Sequence, residues 1–256
     1  MGEFIQLDGA DLIWALGLIV LAIALSRWQK LQLEGQFILA TGRTILQLLV
    51  VGYVLEGVFA LAHPVSVIGL VLVMLTIAAI AAKNRLQELG NLPLMWGSIF
   101  LGFGLPLVYS LLLILQPDPW YDPQYFIPLA GMMLGNAMNS ASLAGERLGS
   151  RIKSSRLEIE TQLCLGATPK EAIAQYRIEA IRASLIPIIN SMMVVGLVSL
   201  PGMFTGQVLA GIDPLNAASY QILILFAIAL ANMISTSLIT EGIYRQFFND
   251  EAQLIL

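Results

Sequence analysis

Side chains able to do chemistry are few in this 256-residue chain, and their spacing excludes the common soluble enzymes. A single histidine, His63, can build neither an HExxH zinc site nor a Ser–His–Asp triad. Gly166-Ala-Thr-Pro-Lys170 lacks the second glycine and the length of a phosphate loop, so no Walker-type ATP site is present in the sequence. One cysteine, Cys164, rules out an internal disulfide framework; on an amphipathic helix it reads as a small apolar residue. What remains is a set of polar and soft side chains inside long apolar runs. Such groups hydrogen-bond or ligate along an aqueous path, or hold helices together; a scaffold, or an intramembrane enzyme whose substrate brings its own reactive groups, is a further alternative.

Arg43 and Gln47 lie one turn apart in the second run, and Arg43 is close enough to the run's end to snorkel. Asn136 and Asn139 sit in a fifth run rich in small residues, where Gly131 and Gly135 form a GxxxG face for close helix packing. Interhelical hydrogen bonding and a place on a transport path both fit these asparagines. In the sixth run Pro201 removes a backbone donor and Gly202 loosens the chain, so a kink or break is predicted at membrane depth. Thr205 and Gln207 follow it with oxygen ligands, and broken helices of this kind mark transport sites or plain hinges. Met132, Met133, Met138 and Met203 are soft thioethers that suit Cu(I), or flexible core filler.

These residues need a membrane to position them. Hydrophobic residues make up 57% of the chain and charged ones 12%, about half the charge of a soluble domain. The expected fold is all-α, a polytopic membrane protein of about seven transmembrane helices in a single domain over residues 1–256. The runs lie near Ala10–Ser26, Phe37–Leu61, Val65–Ala82, Leu94–Leu115, Tyr125–Glu146, Leu185–Val208 and Leu215–Thr240. Arg27, Lys30, Arg43, Lys83, Arg85, the group from Arg147 to Arg182, and Arg245 fall at one set of ends. Glu56, Asp118, Asp122 and Asp213 occupy the other, with the acidic N-terminus, which does not suit a secretory signal. The positive-inside rule then predicts an outside N-terminus and a cytoplasmic C-terminus in the plasma (inner) membrane. Trp120 and Tyr121, in a proline-rich connection, suit an interfacial anchor.

The one long polar segment, residues 147–184, falls between spans five and six on the cytoplasmic side. Ser155 with Glu158, and Thr168 with Glu171, each have the spacing of a capping box. Pro169 suits the first helical position, and Gly166 suits a left-handed helix end. A helical elbow is predicted: helix, glycine break, helix. Its apolar residues Leu157, Leu163, Leu165, Ile173 and Tyr176 exceed what membrane contact requires, so it wants a partner.

Glu160-Thr-Gln-Leu-Cys-Leu-Gly-Ala-Thr-Pro-Lys-Glu-Ala172 resembles the elbow of ABC permeases. Four stretches are similar, more narrowly, to the Fet-type iron-export permeases and the plant aluminium-tolerance permeases: Gly42–Tyr53, Ile127–Met138, Leu165–Lys170 and Gly196–Pro214. The resemblance implies a permease that dimerises with a second copy and recruits two copies of a separate ABC ATPase. Glu158, Glu160, Leu163, Gly166, Ala167, Thr168 and Pro169 would couple to that ATPase. ATP and magnesium would sit on the partner, with no cofactor on this chain, which would act as a transport subunit and not an enzyme. Its surroundings are the lipid bilayer, and nothing points to nucleic acid. Arg43, Gln47, Asn136, Met138, Asn139, Asn190, Pro201, Met203, Thr205 and Gln207 are the expected path residues. Asn190 stands where the family pattern leads one to expect an acid, and Phe204 where it leads one to expect a second methionine, which removes two metal ligands.

The implied cargo of an exporter is an iron-like metal ion or a related solute, with a nucleotide sugar or other organic solute as the alternative. An ion-coupled carrier without an ATPase is a further alternative. It needs a membrane-embedded acid, and Glu56 and Glu146 both lie near span ends.

Overall fold

The computed structural model describes residues 8–86, 89–249 and 251–255. Among these the chain is helical, with two isolated bridge pairs and no named strand. It forms two compact units, Met1–Leu61 with Leu209–Gly211, and Ala62–Val208 with Ile212–Leu256.

The first unit holds α1 (Gly9–Trp28) and α2 (Glu34–Leu61). Ser26, the one buried residue of α1, organises the turn between them. Its hydroxyl accepts from the Leu33 N–H at 3.2 Å and donates to Glu34 Oε1 at 3.3 Å. Lys30 and Gln32 take positive φ to close the turn. Both helices are long and apolar enough to cross a membrane. Most of their leucines and isoleucines are exposed, as lipid contact allows and water does not.

The second unit contains α3 (Pro64–Leu86), α4 (Leu92–Tyr109, extended by a π turn to Leu115), α5 (Pro123–Ser154), α6 (Arg156–Cys164), α7 (Pro169–Ala172), α8 (Ala174–Val194), α9 (Gly202–Leu209, except its last residue) and α10 (Pro214–Tyr244). α10 packs against α5, α4 and α8, while α5 also packs against α3, so these two helices form the core of the unit. Small residues set the closest approaches. A Cβ on Gly145 of α5 would stand 2.6 Å from Ile243 and 2.7 Å from Leu86, and one on Gly102 of α4 would collide with the Ser235 hydroxyl of α10. The predicted GxxxG face does not act this way: Gly135 has open space around it, and Gly131 meets only the flexible tip of Met74.

Among the described residues, five helices are long and apolar enough to span a bilayer: α1, α2, α3, α4 with its extension, and α10. The fifth and sixth runs differ. α5 has 32 residues, roughly 48 Å of helix, and its buried face mixes bulky residues (Ile127, Leu129, Met133, Leu134, Leu148 and Ile152) with a central stretch of alanine, serine and glycine from Ala137 to Gly145. The sixth run is not one helix. α8 stops at Val194, seven residues before Pro201, and the chain restarts at Gly202. Gly196 takes φ +80° in the turn, and its N–H bonds the Ser199 carbonyl at 2.9 Å. The break therefore starts at the glycine, which tolerates a left-handed backbone, and ends at the proline.

Candidate functional site

The elbow is built from the ends of two long helices. Residues 147–154 continue α5 and residues 174–184 belong to α8, so α6 and α7 alone form the connection. Gly166 adopts φ +93° after α6. The Thr168–Glu171 box is present: the Thr168 N–H donates to Glu171 Oε2 at 2.8 Å, and the Glu171 N–H reaches the Thr168 hydroxyl at 3.4 Å. Bonds from the Thr168 backbone first, then from its hydroxyl, hold the Glu171 carboxyl below its usual range. The expected box at Ser155 is absent, because that residue makes no side-chain cap bond. Glu158 is taken instead by the Tyr176 hydroxyl of α8 at 2.6 Å. Burial first, and that acidic partner second, push the Tyr176 phenol above its usual range.

Ile159, Ala172, Ile173 and Tyr176 are buried beneath the elbow and belong to the core cluster. Leu163 packs half-buried against the same cluster, and Ala167 and Pro169 are half-buried. Glu160 is paired with Arg156 at 2.7 Å. The elbow's free apolar surface is therefore Leu157 and Leu165, 80% and 82% exposed, with Cys164 beside them. Leu157 and Cys164, seven positions apart, share one face of α6, and Leu165 caps its C-terminus.

Arg177, on the next turn of α8 after Ile173, is clamped to α10. Its guanidinium meets Glu241 Oε2 at 2.6 Å and donates to the Thr240 hydroxyl and the Ser237 carbonyl, both at 3.2 Å. Arg245 holds the other oxygen of Glu241 at 2.9 Å. α8 is thus tied to α10 through hydrogen bonds as well as packing.

Two adjoining clefts open between α5, α8 and α10 above this clamp. One, of about 190 Å³, is lined by Asn136, Asn139, Ser184, Pro187, Ser191 and Asn232, among others. The other, of about 300 Å³, shares Asn136, Ile188 and Ser191 and adds Met132, Pro201, Met203 and Gln221. Asn139 accepts from Arg85 of α3 at 3.0 Å, and Asn136 donates to the Met132 carbonyl at 2.9 Å. The structure thus unites Asn136, Asn139, Pro201 and Met203 from the expected path. It leaves others aside. Met133 is fully buried, Met138 lines neither cleft, and Asn190 is exposed without lining either. The Thr205 hydroxyl turns back to the Pro201 carbonyl, and Gln207 lines neither cleft. Arg43 and Gln47 belong to the first unit, where both are exposed on α2.

Gln221 and Asn232 are the residues that sequence reading missed. They are eleven positions apart, hence on one face of α10 about 16 Å apart, and both are amides in an apolar run. That combination was the available signal. No group of three or more His, Cys, Asp or Glu side chains able to hold a metal occurs among the described residues.

The UPF0014 family, described as an uncharacterised protein family, matches residues 9–248. The chain belongs to the UPF0014 family. A UPF0014 membrane protein of Synechocystis is 58% identical over 98% of both chains. The probable iron export permease protein FetB of Escherichia coli is 39% identical, over 98% of this chain and 96% of its own. Protein ALUMINUM SENSITIVE 3 of Arabidopsis thaliana is 35% identical, over 94% of this chain and 87% of its own. No solved structure matches this UPF0014 chain. The family resemblance drawn from the motifs therefore holds, and the chain is a multi-pass membrane protein of a family with permeases among its members.

Proposed function

We propose that this protein is the membrane subunit of an ABC exporter, a homodimer driven by two copies of a separate ATPase, with an iron-like metal ion or a related solute as cargo. The single observation that carries the reading is the pair of exposed apolar side chains outside the apolar runs, Leu157 on α6 and Leu165 at its C-terminal cap. Exposed large apolar side chains on a polar connection mark a docking surface. The Thr168–Glu171 box and Gly166 fix the shape of the elbow, the Arg177–Glu241 clamp carries its motion to α10, and α10 lines the clefts. In this arrangement seven segments cross the plasma membrane, α5 and the α8–α9 pair among them, with the N-terminus outside and the elbow in the cytoplasm. ATP and magnesium act on the partner. The iron assignment leans on the FetB relative, whose name reads as an iron export permease.

An ion-coupled carrier is the weaker reading, because the cleft linings hold no acid for a proton or sodium ion to ride on. The test is co-expression with each lone ABC ATPase of the same genome. One of them is expected to co-purify in equal stoichiometry with the permease. Failure of every ATPase to associate with the folded protein would remove the proposal.

A further inference from the structure

The two clefts pose a hydrogen-bonding problem that the protein does not solve by itself. Asn232 is 2% exposed and Gln221 7%, yet Oδ1 of the first and Oε1 of the second are buried without a partner. Buried amides in native proteins are almost always satisfied, so two orphans on one face of one helix, each lining a cleft, need a reason. Packing supplies one for the nearby Ser235, whose orphan hydroxyl is pressed against Gly102 of α4 and lines neither cleft. It supplies none for the two amides, whose residues line the clefts while their unpartnered oxygens are buried.

The chemistry of that space narrows its ligand. Among the described residues, the linings contain amides, serine hydroxyls, two thioethers and apolar groups, with no ionisable side chain of either sign. A bare hard cation gives up its hydration on entering such a site and wants carboxylate oxygens in return. Here it would find none. The space of about 190 Å³ adjoining about 300 Å³ is also that of a small-molecule site, far larger than an ion. An amide presents both a donor and an acceptor, since a half-turn exchanges its ends. It therefore matches hydroxyl and carbonyl groups on an uncharged surface.

We infer that the cleft between α5, α8 and α10 is a binding site for a metal ion enclosed in an uncharged, oxygen-bearing organic ligand shell, and not for the bare ion, with Asn232 and Gln221 reading the shell. This deepens the transport reading above and rests on its metal cargo, but it concerns the permease alone and needs no ATPase to be tested. The full-length chain, purified in detergent, is titrated with the neutral tris-maltolate complex of iron(III), with maltol alone, and with iron(II) chloride without oxygen. Thermal unfolding and equilibrium dialysis are the readouts.

The complex is expected to bind saturably and raise Tm, maltol to do so more weakly, and iron(II) to leave Tm unchanged. Asn232→Leu and Gln221→Leu should each weaken binding of the complex at least tenfold. Each should also raise Tm of the unliganded protein, because it removes an orphan polar atom; a purely structural amide would give the opposite sign. Three results overturn the inference: iron(II) binding at least as well as the complex, no binding of the complex, or variants that bind it like the parent. An ATPase that never associates would defeat the proposed function and leave these measurements standing.

Discussion

The hydroxyl of Tyr176 donates to Glu158 Oε2 across 2.6 Å, joining the start of α8 to the elbow helix α6. Tyr176 is 8% exposed, so its ring is anchored in the core while its oxygen holds the elbow from beneath. Replacing it by phenylalanine keeps the ring and deletes the tie. Tyr176→Phe is expected to lower stability by about 1 kcal/mol, read from thermal unfolding, and to raise hydrogen exchange selectively in residues 156–172. The phenol's pKa is raised in the folded state, so its contribution is complete below the ordinary tyrosine value of about 10. It is lost as pH rises through the raised value.

The acid limit of the elbow should be set by Glu171. Its carboxyl is held low by the Thr168 bonds, so the box stabilises the elbow above the unfolded value of about 4.3. That stability disappears as pH falls through the lowered one. The protection of the Thr168 and Glu171 amides, measured against their intrinsic exchange rates at each pH, is therefore expected to fall on acidification through that range and to hold at neutral pH. Thr168→Ala removes the cap directly, with an expected loss of about 1 kcal/mol and no remaining acid step at these amides.

Arg177 and Glu241 form the link between α8 and α10, at 2.6 Å with about a quarter of each side chain exposed. Glu241→Gln should destabilise by about 1.5 kcal/mol, the low end for hydrogen bonds to charged groups because the pair is partly exposed. In a double-mutant cycle with Arg177→Met, the coupling should exceed the experimental error in thermal unfolding. Transport should fall in Glu241→Gln while association with the ATPase is kept.

Close packing offers a sharp pair of substitutions. Gly102→Ala forces a methyl into the Ser235 hydroxyl and within 3.1 Å of the Ala231 carbonyl, an overpacking expected to lower stability by about 1–3 kcal/mol. Gly135→Ala meets nothing within 4 Å and gains helix propensity, so its unfolding temperature should hold or rise.

Local features were legible in the sequence. The Gly166 turn and the Thr168–Glu171 box depend on neighbours within a few residues, and both occur as read. Ser155 did not behave as its spacing suggested, because Glu158 is claimed by a tyrosine 18 positions away, a tertiary contact that no local pattern encodes. The interrupted sixth run was foreseen at Pro201, yet the helix ends at Val194, since Gly196 can turn where the valines around it resist. GxxxG spacing pointed to Gly131 and Gly135, whereas Gly102 and Gly145 make the tight contacts. Spacing shows that helices could approach and does not choose the neighbour. Gln221 and Asn232 gained meaning only when α5 and α8 were seen to leave space beside them.

The central claim, that the elbow receives work from an ATPase, is tested most directly by ATP-driven export in reconstituted vesicles with Leu157→Asp and Leu165→Asp combined. Two carboxylates at these exposed positions disturb no buried contact, so the permease should insert and fold normally. Flux should require the ATPase and ATP in the parent protein and be lost, together with ATPase association, in the double variant. Flux that persists without the ATPase, or that the double variant carries undiminished, would contradict the claim.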